Sequence, residues 1–176
     1  AMSFGTPREL REDEILDIIQ RFATSAAICE KAGFEGVQLH GAHGYLISQF
    51  LSPLTNKRQD QWGGSIENRS RFLLEAYKAV RSATSENFII SVKLNSADFQ
   101  RGGISEEDVI YVFKTMDAVG IDIIEVSGGT YEAPAMAGVK AEKRKASTVA
   151  REAYFLDFAE KIRQEVNCHL MVTGGF

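Results

Sequence analysis

Cysteine, proline, histidine and tryptophan are all scarce in this chain: two, three, three and one in 176 residues. Cys29 and Cys168 lie far apart, which gives neither a disulfide framework nor the paired spacing of a zinc site. Both read as small core residues and as free thiols in a reducing compartment. No apolar run approaches the roughly 20 residues of a membrane span, and no secretory signal is present. Basic charge is not in excess: the net charge is −4 and the pI about 5.5, which leaves no footprint for nucleic acid. The densest basic cluster, Lys140 to Arg151, is interrupted by Glu142 and reads as a solvated loop. These absences point to a cytoplasmic protein with neither membrane nor nucleic acid as partner.

What is present is ordinary globular composition, 44% hydrophobic and 25% charged. A chain of this length forms one domain and buries about 70% of its unfolded surface. One theme recurs: an amphipathic helix, a short break, an apolar strand, then small and polar residues. The first helix is expected from Glu12 to Ala32, with Ile15, Ile18, Ile19, Phe22, Ala26 and Cys29 on one stripe and Gly33 as its stop. The strand Phe34 to His40 follows. Ser65 caps a helix over Ile66 to Ser82, which feeds the strand Phe88 to Leu94. Ser105 caps a third helix, with Glu106, Glu107 and Asp108 complementing its dipole. That helix stops at Gly120, before the strand Ile121 to Val126. A fourth helix, from about Ala150 to Val166, leads to the strand Cys168 to Thr173. The connections Gly41 to Gly64 and Gly128 to Val149 are long, and both follow strands, where α/β proteins place their sites.

Helices alternating with strands predict a parallel sheet. The strands are not apolar throughout, as strands covered on both faces would be. Gln38 and His40 oppose Val37 and Leu39; Ser91, Lys93 and Asn95 oppose Val92 and Leu94. Glu125 and Ser127 oppose Ile124 and Val126; His169, Met171 and Thr173 oppose Leu170 and Val172. One face takes the helices and the other carries polar groups, the pattern of a barrel interior. A closed (βα)8 barrel needs about 250 residues. The expectation is therefore an α/β fold with four parallel strands, a partial (βα)8 TIM barrel in which 1–176 form a single domain with two unpaired outer edges.

The run His40-Gly41-Ala42-His43-Gly44-Tyr45-Leu46 places two of the three histidines and a phenol at a strand end. From the residues alone three readings stay open: histidines that hydrogen-bond to hold a loop, a metal site, or a cluster that binds and protonates a ligand. Two histidines three apart need further metal ligands, and no HExxH or cysteine pair supplies them.

The run Gly33 to Leu46 resembles the fourth strand of the Old Yellow Enzyme family, the FMN-dependent NAD(P)H:flavin oxidoreductases. Gln49-Phe50-Leu51-Ser52-Pro53, Asn56, Arg58, Asp60, Gly63-Gly64-Ser65, Glu67-Asn68-Arg69 and Arg71-Phe72 match that family's next loop and helix. Lys93-Leu94-Asn95, Ser127-Gly128-Gly129 and Thr173-Gly174-Gly175-Phe176 resemble the ends of its fifth, sixth and seventh strands. The resemblance implies a (βα)8 barrel with non-covalent FMN at its mouth, of which this chain holds strands four to seven, without one to three and eight. It implies a ping-pong reaction, with NAD(P)H as electron donor and an α,β-unsaturated carbonyl or nitro compound as acceptor.

By the same resemblance, His40 and His43 hydrogen-bond the substrate oxygen and Tyr45 is the proton donor. Lys93, where most relatives have arginine, faces the flavin; its bland alternative is pairing with an acidic neighbour such as Glu125. Gly174 and Gly175 approach the phosphate, and Phe176 flanks the flavin. Glu67, Asn68 and Arg69 read as scaffold that pins the loop to the helix, and Trp62 as a packing aromatic. Asp98 and Arg101 read as solvated charges. The rival expectation is a non-catalytic folding fragment that cannot hold FMN by itself and forms a homo-oligomer through its exposed strand edges.

Overall fold

A computed structural model describes residues 7–98, 101–129 and 146–173. The described elements are α1 (Glu12–Lys31), β1 (Gly36–Gly41), α2 (Leu46–Leu51), α3 (Ile66–Ala83), β2 (Ile89–Asn95), α4 (Glu106–Ala118), β3 (Ile123–Ser127), α5 (Ala146–Arg163) and β4 (His169–Val172). The four strands form one parallel sheet in the order β1-β2-β3-β4. This is the expected α/β architecture.

Local chemistry sets the boundaries. Glu14 reaches back to accept the backbone N–H of Arg11 at 2.8 Å, closing the first turn of α1. At the other end Gly33 turns with φ +93, its N–H bonding the Glu30 carbonyl and that of Phe34 bonding Cys29. Gly120 ends α4 in the same way, with φ +86 and bonds from Gly120 to Asp117 and from Ile121 to Met116. Both are the two-bond glycine terminator that a β-carbon would strain. Ser65 and Ser105 cap α3 and α4 by accepting the N–H groups of Asn68 and Asp108.

The apolar face of the sheet carries Leu39, Ile90, Val92, Leu94, Ile124 and Val126, all buried. Against it lie Ile15 and Ile19 of α1, Phe72, Leu73 and Val80 of α3, and Phe113 and Met116 of α4. Phe72 is stacked on Phe50 at 4.5 Å and meets Phe22 edge-on at 6.3 Å. That stack seats α2 on α3. Cys29 and Cys168 are free thiols packed at the margin of this core.

Three expectations need correcting. The connection after β1 is not all loop: Leu46–Leu51 is a short helix. α5 begins at Ala146 rather than near Ala150. Asp98 is not a solvated charge; it is buried and accepts from Asn95 Nδ2 at 2.9 Å and from the Ile104 N–H at 3.3 Å. Arg101 is exposed as expected. The basic cluster Lys140 to Arg151 lies outside the residues described with side chains. Among the described residues, no helix is long and apolar enough to cross a membrane.

Candidate active site

The polar face of the sheet is where the chemistry-bearing residues meet. The register sets His40 beside Lys93, and Lys93 beside Glu125. β1 then ends, and the chain turns through His43, whose φ of 64 is left-handed. That conformation costs a side-chain-bearing residue roughly 1–2 kcal/mol, so something must hold it. Asn95, at the end of β2, accepts the His43 backbone N–H at 3.2 Å. Ser127, at the end of β3, lies 2.8 Å from His43 Nε2 through its hydroxyl. The turn is closed from below by the Gly44 N–H on Ser48 Oγ at 3.2 Å and by Gln49 Nε2 on the Gly44 carbonyl at 2.9 Å.

The result is a cluster of three rings. His40 and His43 sit edge to face with centroids 5.2 Å apart, and the Tyr45 ring is 5.1 Å from His40. Tyr45 is half exposed, at the start of α2. Burial, reinforced by the Lys93 ammonium, lowers the pKa of His40. Burial, then His40, then Lys93 lower that of His43. Both imidazoles are therefore neutral at pH 7, each with a single N–H to donate. Among the described residues no group of three or more His, Cys, Asp or Glu could hold a metal ion.

Lys93 and Glu125 form an ion pair at 2.8 Å, with side-chain exposures of 19% and 5%. Glu125 also accepts from Gln38 Nε2 at 2.8 Å. Burial works to raise the Glu125 carboxyl, but the bonds from Lys93, Thr173 and Gln38 outweigh it and hold the carboxyl below its ordinary range. The acidic neighbour weighed for Lys93 is thus its actual partner, and the lysine faces the polar side of the sheet as half of a neutral pair.

The loop behind the rings is pinned from three sides. Arg69, buried on α3, donates to the carbonyls of Leu51 and Gly64 and to Asp108 at 2.7 Å. Asn56 donates to the Phe50 and Trp62 carbonyls at 2.7 and 2.8 Å. Gly63 passes so close to Arg58 that a β-carbon would lie 2.5 Å from its carbonyl oxygen. Trp62 is buried packing, as expected.

The structure thus brings together His40, His43, Tyr45 and Lys93. Gly174, Gly175 and Phe176 lie outside the described residues. Sequence reasoning gave no role to Asn95, Ser127 or Gln38, although the alternation had already put all three on the polar face.

The family model for NADH:flavin oxidoreductase / NADH oxidase matches residues 2–176. The NADH-dependent flavin oxidoreductase iliE of Hypocrea jecorina is 42% identical over 178 residues, which cover 100% of this chain and 44% of that protein. An NADPH dehydrogenase of a Geobacillus species is 40% identical over 169 residues, 96% of this chain and 46% of its own. Among solved structures, morphinone reductase in complex with tetrahydroNAD superposes with a TM-score of 0.72 at 29% identity, covering 98% of this chain and 42% of that one. The old yellow enzyme homologue from Zymomonas mobilis gives 0.75 at 26%, covering 99% and 46%. These neighbours are TIM barrels, and the chain spans under half the length of the relatives it matches. Its four parallel βα units are a segment of that architecture, and the chain belongs to the NADH:flavin oxidoreductase / NADH oxidase family.

Proposed function

We propose that this chain supplies strands four to seven of an FMN-dependent NAD(P)H oxidoreductase that reduces activated alkenes, α,β-unsaturated carbonyl or nitro compounds. The observation that carries the reading is the three-ring cluster at the end of β1, with its two neutral imidazoles. When hydride reaches the β-carbon of an enone, negative charge develops on oxygen. Two N–H donors, one on exposed His40 of β1 and one on half-buried His43 of the turn, stabilise that charge, the arrangement that carries most weight in such reactions. The Tyr45 hydroxyl gives a proton to the neighbouring carbon as a general acid.

The polar face fits FMN by its donor set. Gln38 offers an amide that both donates and accepts, and Lys93 offers ammonium protons held in place by Glu125. Such groups suit the acceptor and donor edge of a flat heteroaromatic ring. The cofactor, when bound, supplies the hydride. Gly174, Gly175 and Phe176 are assigned to its phosphate and rim on the family resemblance.

Replacing Tyr45 by Phe in the full-length enzyme tests the assignment. Alkene reduction is expected to slow about a hundredfold or more, while bleaching of the flavin by NAD(P)H keeps its rate. Alkene turnover that matches the wild type removes Tyr45 from the mechanism.

The open edges of β1 and β4 among the described residues favour a second reading for the chain by itself. In that reading it holds no FMN alone and associates through those edges. Colour and mass decide between them. Purified chain that binds added FMN and shows the flavin's visible band supports the first. Colourless, multimeric chain supports the second.

A further inference from the structure

The geometry points to Ser127 as the residue that sets which nitrogen of His43 carries the proton: its hydroxyl donates to Nε2, so that Nδ1–H is the donor offered to a ligand's oxygen. This rests on the reading of His40 and His43 as oxygen binders and adds a positioning residue to it.

The chemistry is a choice between two exclusive arrangements. His43 is neutral, because burial, His40 and Lys93 all disfavour its charged form. A neutral imidazole has one N–H and one bare nitrogen. The 2.8 Å contact between Nε2 and Ser127 Oγ therefore runs one way or the other. If the ring donated, the hydroxyl proton of Ser127 would need an acceptor of its own. Ser127 is 3% exposed, and among the described residues its Oγ has no hydrogen-bond partner besides His43. A buried donor left without an acceptor costs about 1–3 kcal/mol. If the hydroxyl donates, its proton is used, and only an oxygen lone pair stays unfilled, which proteins tolerate more readily.

The surroundings keep the ring from swinging to another partner. Asn95 fixes the His43 backbone by accepting its N–H. The Asn95 amide cannot flip without loss, since its Nδ2 donates both to Asp98 Oδ1 and to the Gly129 carbonyl, each at 2.9 Å. Ser127 is fixed too: its carbonyl accepts from both the N–H and the hydroxyl of Ser96. His43 is thus held at backbone and ring by the ends of two neighbouring strands. Nε2 is turned inward, which leaves Nδ1 as the nitrogen for a ligand.

The test is nitrogen NMR on protein labelled at its three histidines, since protonated and bare ring nitrogens resonate far apart. At neutral pH the wild type is expected to show His43 with a protonated Nδ1 and a bare Nε2. In Ser127→Ala the ring is expected to revert toward the Nε2–H form that imidazoles prefer in water, and Ser127→Thr, which keeps the hydroxyl, is expected to restore Nδ1–H. A wild-type spectrum with His43 protonated at Nε2 overturns the assignment even if no variant folds. So does a Ser127→Ala spectrum with an unchanged tautomer. Binding of cyclohexenone, read by the same resonances, separates the two ideas. With the oxygen-binding reading correct, Ser127→Ala binds about tenfold more weakly. A wild type that carries Nδ1–H but ignores cyclohexenone counts against the oxygen-binding reading and leaves the Ser127 assignment standing.

Discussion

Glu125 offers the sharpest test of the electrostatics on the polar face. Its carboxylate receives Lys93 at 2.8 Å and Gln38 at 2.8 Å, with Thr173 as a third donor. Truncation by Glu125→Ala leaves all three without their acceptor. Breaking a buried ion pair by removing one partner costs about 3–5 kcal/mol. Lys93 is 19% exposed and faces the open side of the sheet, so its ammonium can lift toward water and recover part of that. The expected loss is therefore near the lower end, about 3 kcal/mol. Glu125→Gln keeps the shape and one acceptor oxygen, and should cost about 1–2 kcal/mol. Urea unfolding followed by fluorescence reads both directly, because Trp62 is the chain's single tryptophan and is 3% exposed. The pH dependence gives a second handle. The folded-state carboxyl is held below its ordinary value, so its contribution is complete above about pH 4.3 and is lost as pH falls through the lower folded value. The gap between wild type and Glu125→Gln should be widest near neutrality and should close in acid. Adding Lys93→Met to Glu125→Ala should recover stability, with a coupling of about 1–3 kcal/mol. An unchanged urea midpoint for Glu125→Ala at pH 7 would refute the ionised, buried pair.

Two further predictions follow from the scaffold and the rings. Arg69→Met removes the donor that ties Leu51, Gly64 and Asp108 together and should cost about 3 kcal/mol; faster amide exchange in α2 than in α1 would locate the damage, and uniform exchange would argue against the pin. The His40 and His43 titration midpoints, read by NMR, should both fall below about 6.5, since burial disfavours their charged forms. Their contribution to stability is then present above that pH and declines as pH falls below it; a midpoint at or above it for either ring contradicts the desolvated cluster.

The elements that could be read from the sequence are those whose signals are local. Gly33, Gly120, Ser65 and Ser105 mark helix ends through their own backbone and side-chain bonds, and each does so in the structure. The alternation of Gln38, Lys93 and Glu125 with apolar residues identified the polar face for the same reason. The helix Leu46–Leu51 was not legible. Its N-cap position is Tyr45, with no side-chain capping bond, and six residues are too few to show a helical period. It exists because Arg69 and Asn56 accommodate its carbonyls and Phe72 receives Phe50. Within the site, the ring cluster was legible as a motif, but the partners of His43 were not. Asn95 and Ser127 come from 52 and 84 residues away. Asp98 was misread for a related reason: it is buried only once Asn95 and the Ile104 backbone have closed around it.

The charges on the polar face constrain how such a site can work. Lys93 and Glu125 cancel, and both imidazoles are neutral, so the face presents many hydrogen-bonding groups and little net charge near the rings. Attraction of an anion from solution is therefore not its strength. On the proposed reading its strength is orientation: the His43 ring is already fixed before a ligand arrives, so that little reorganisation is needed when charge develops on an oxygen. A protonated histidine would bind a resting anion more tightly, and stabilising the starting state in that way would not speed the chemical step. In the proposed reaction neutral rings, of which His43 is held by Asn95 and Ser127 on neighbouring strands, reserve their effect for the moment at which the oxygen becomes negative. The left-handed turn at His43 is consistent with that division of labour. Its strain is offset by Asn95 and Ser127, which bond its backbone N–H and its Nε2 from the ends of β2 and β3.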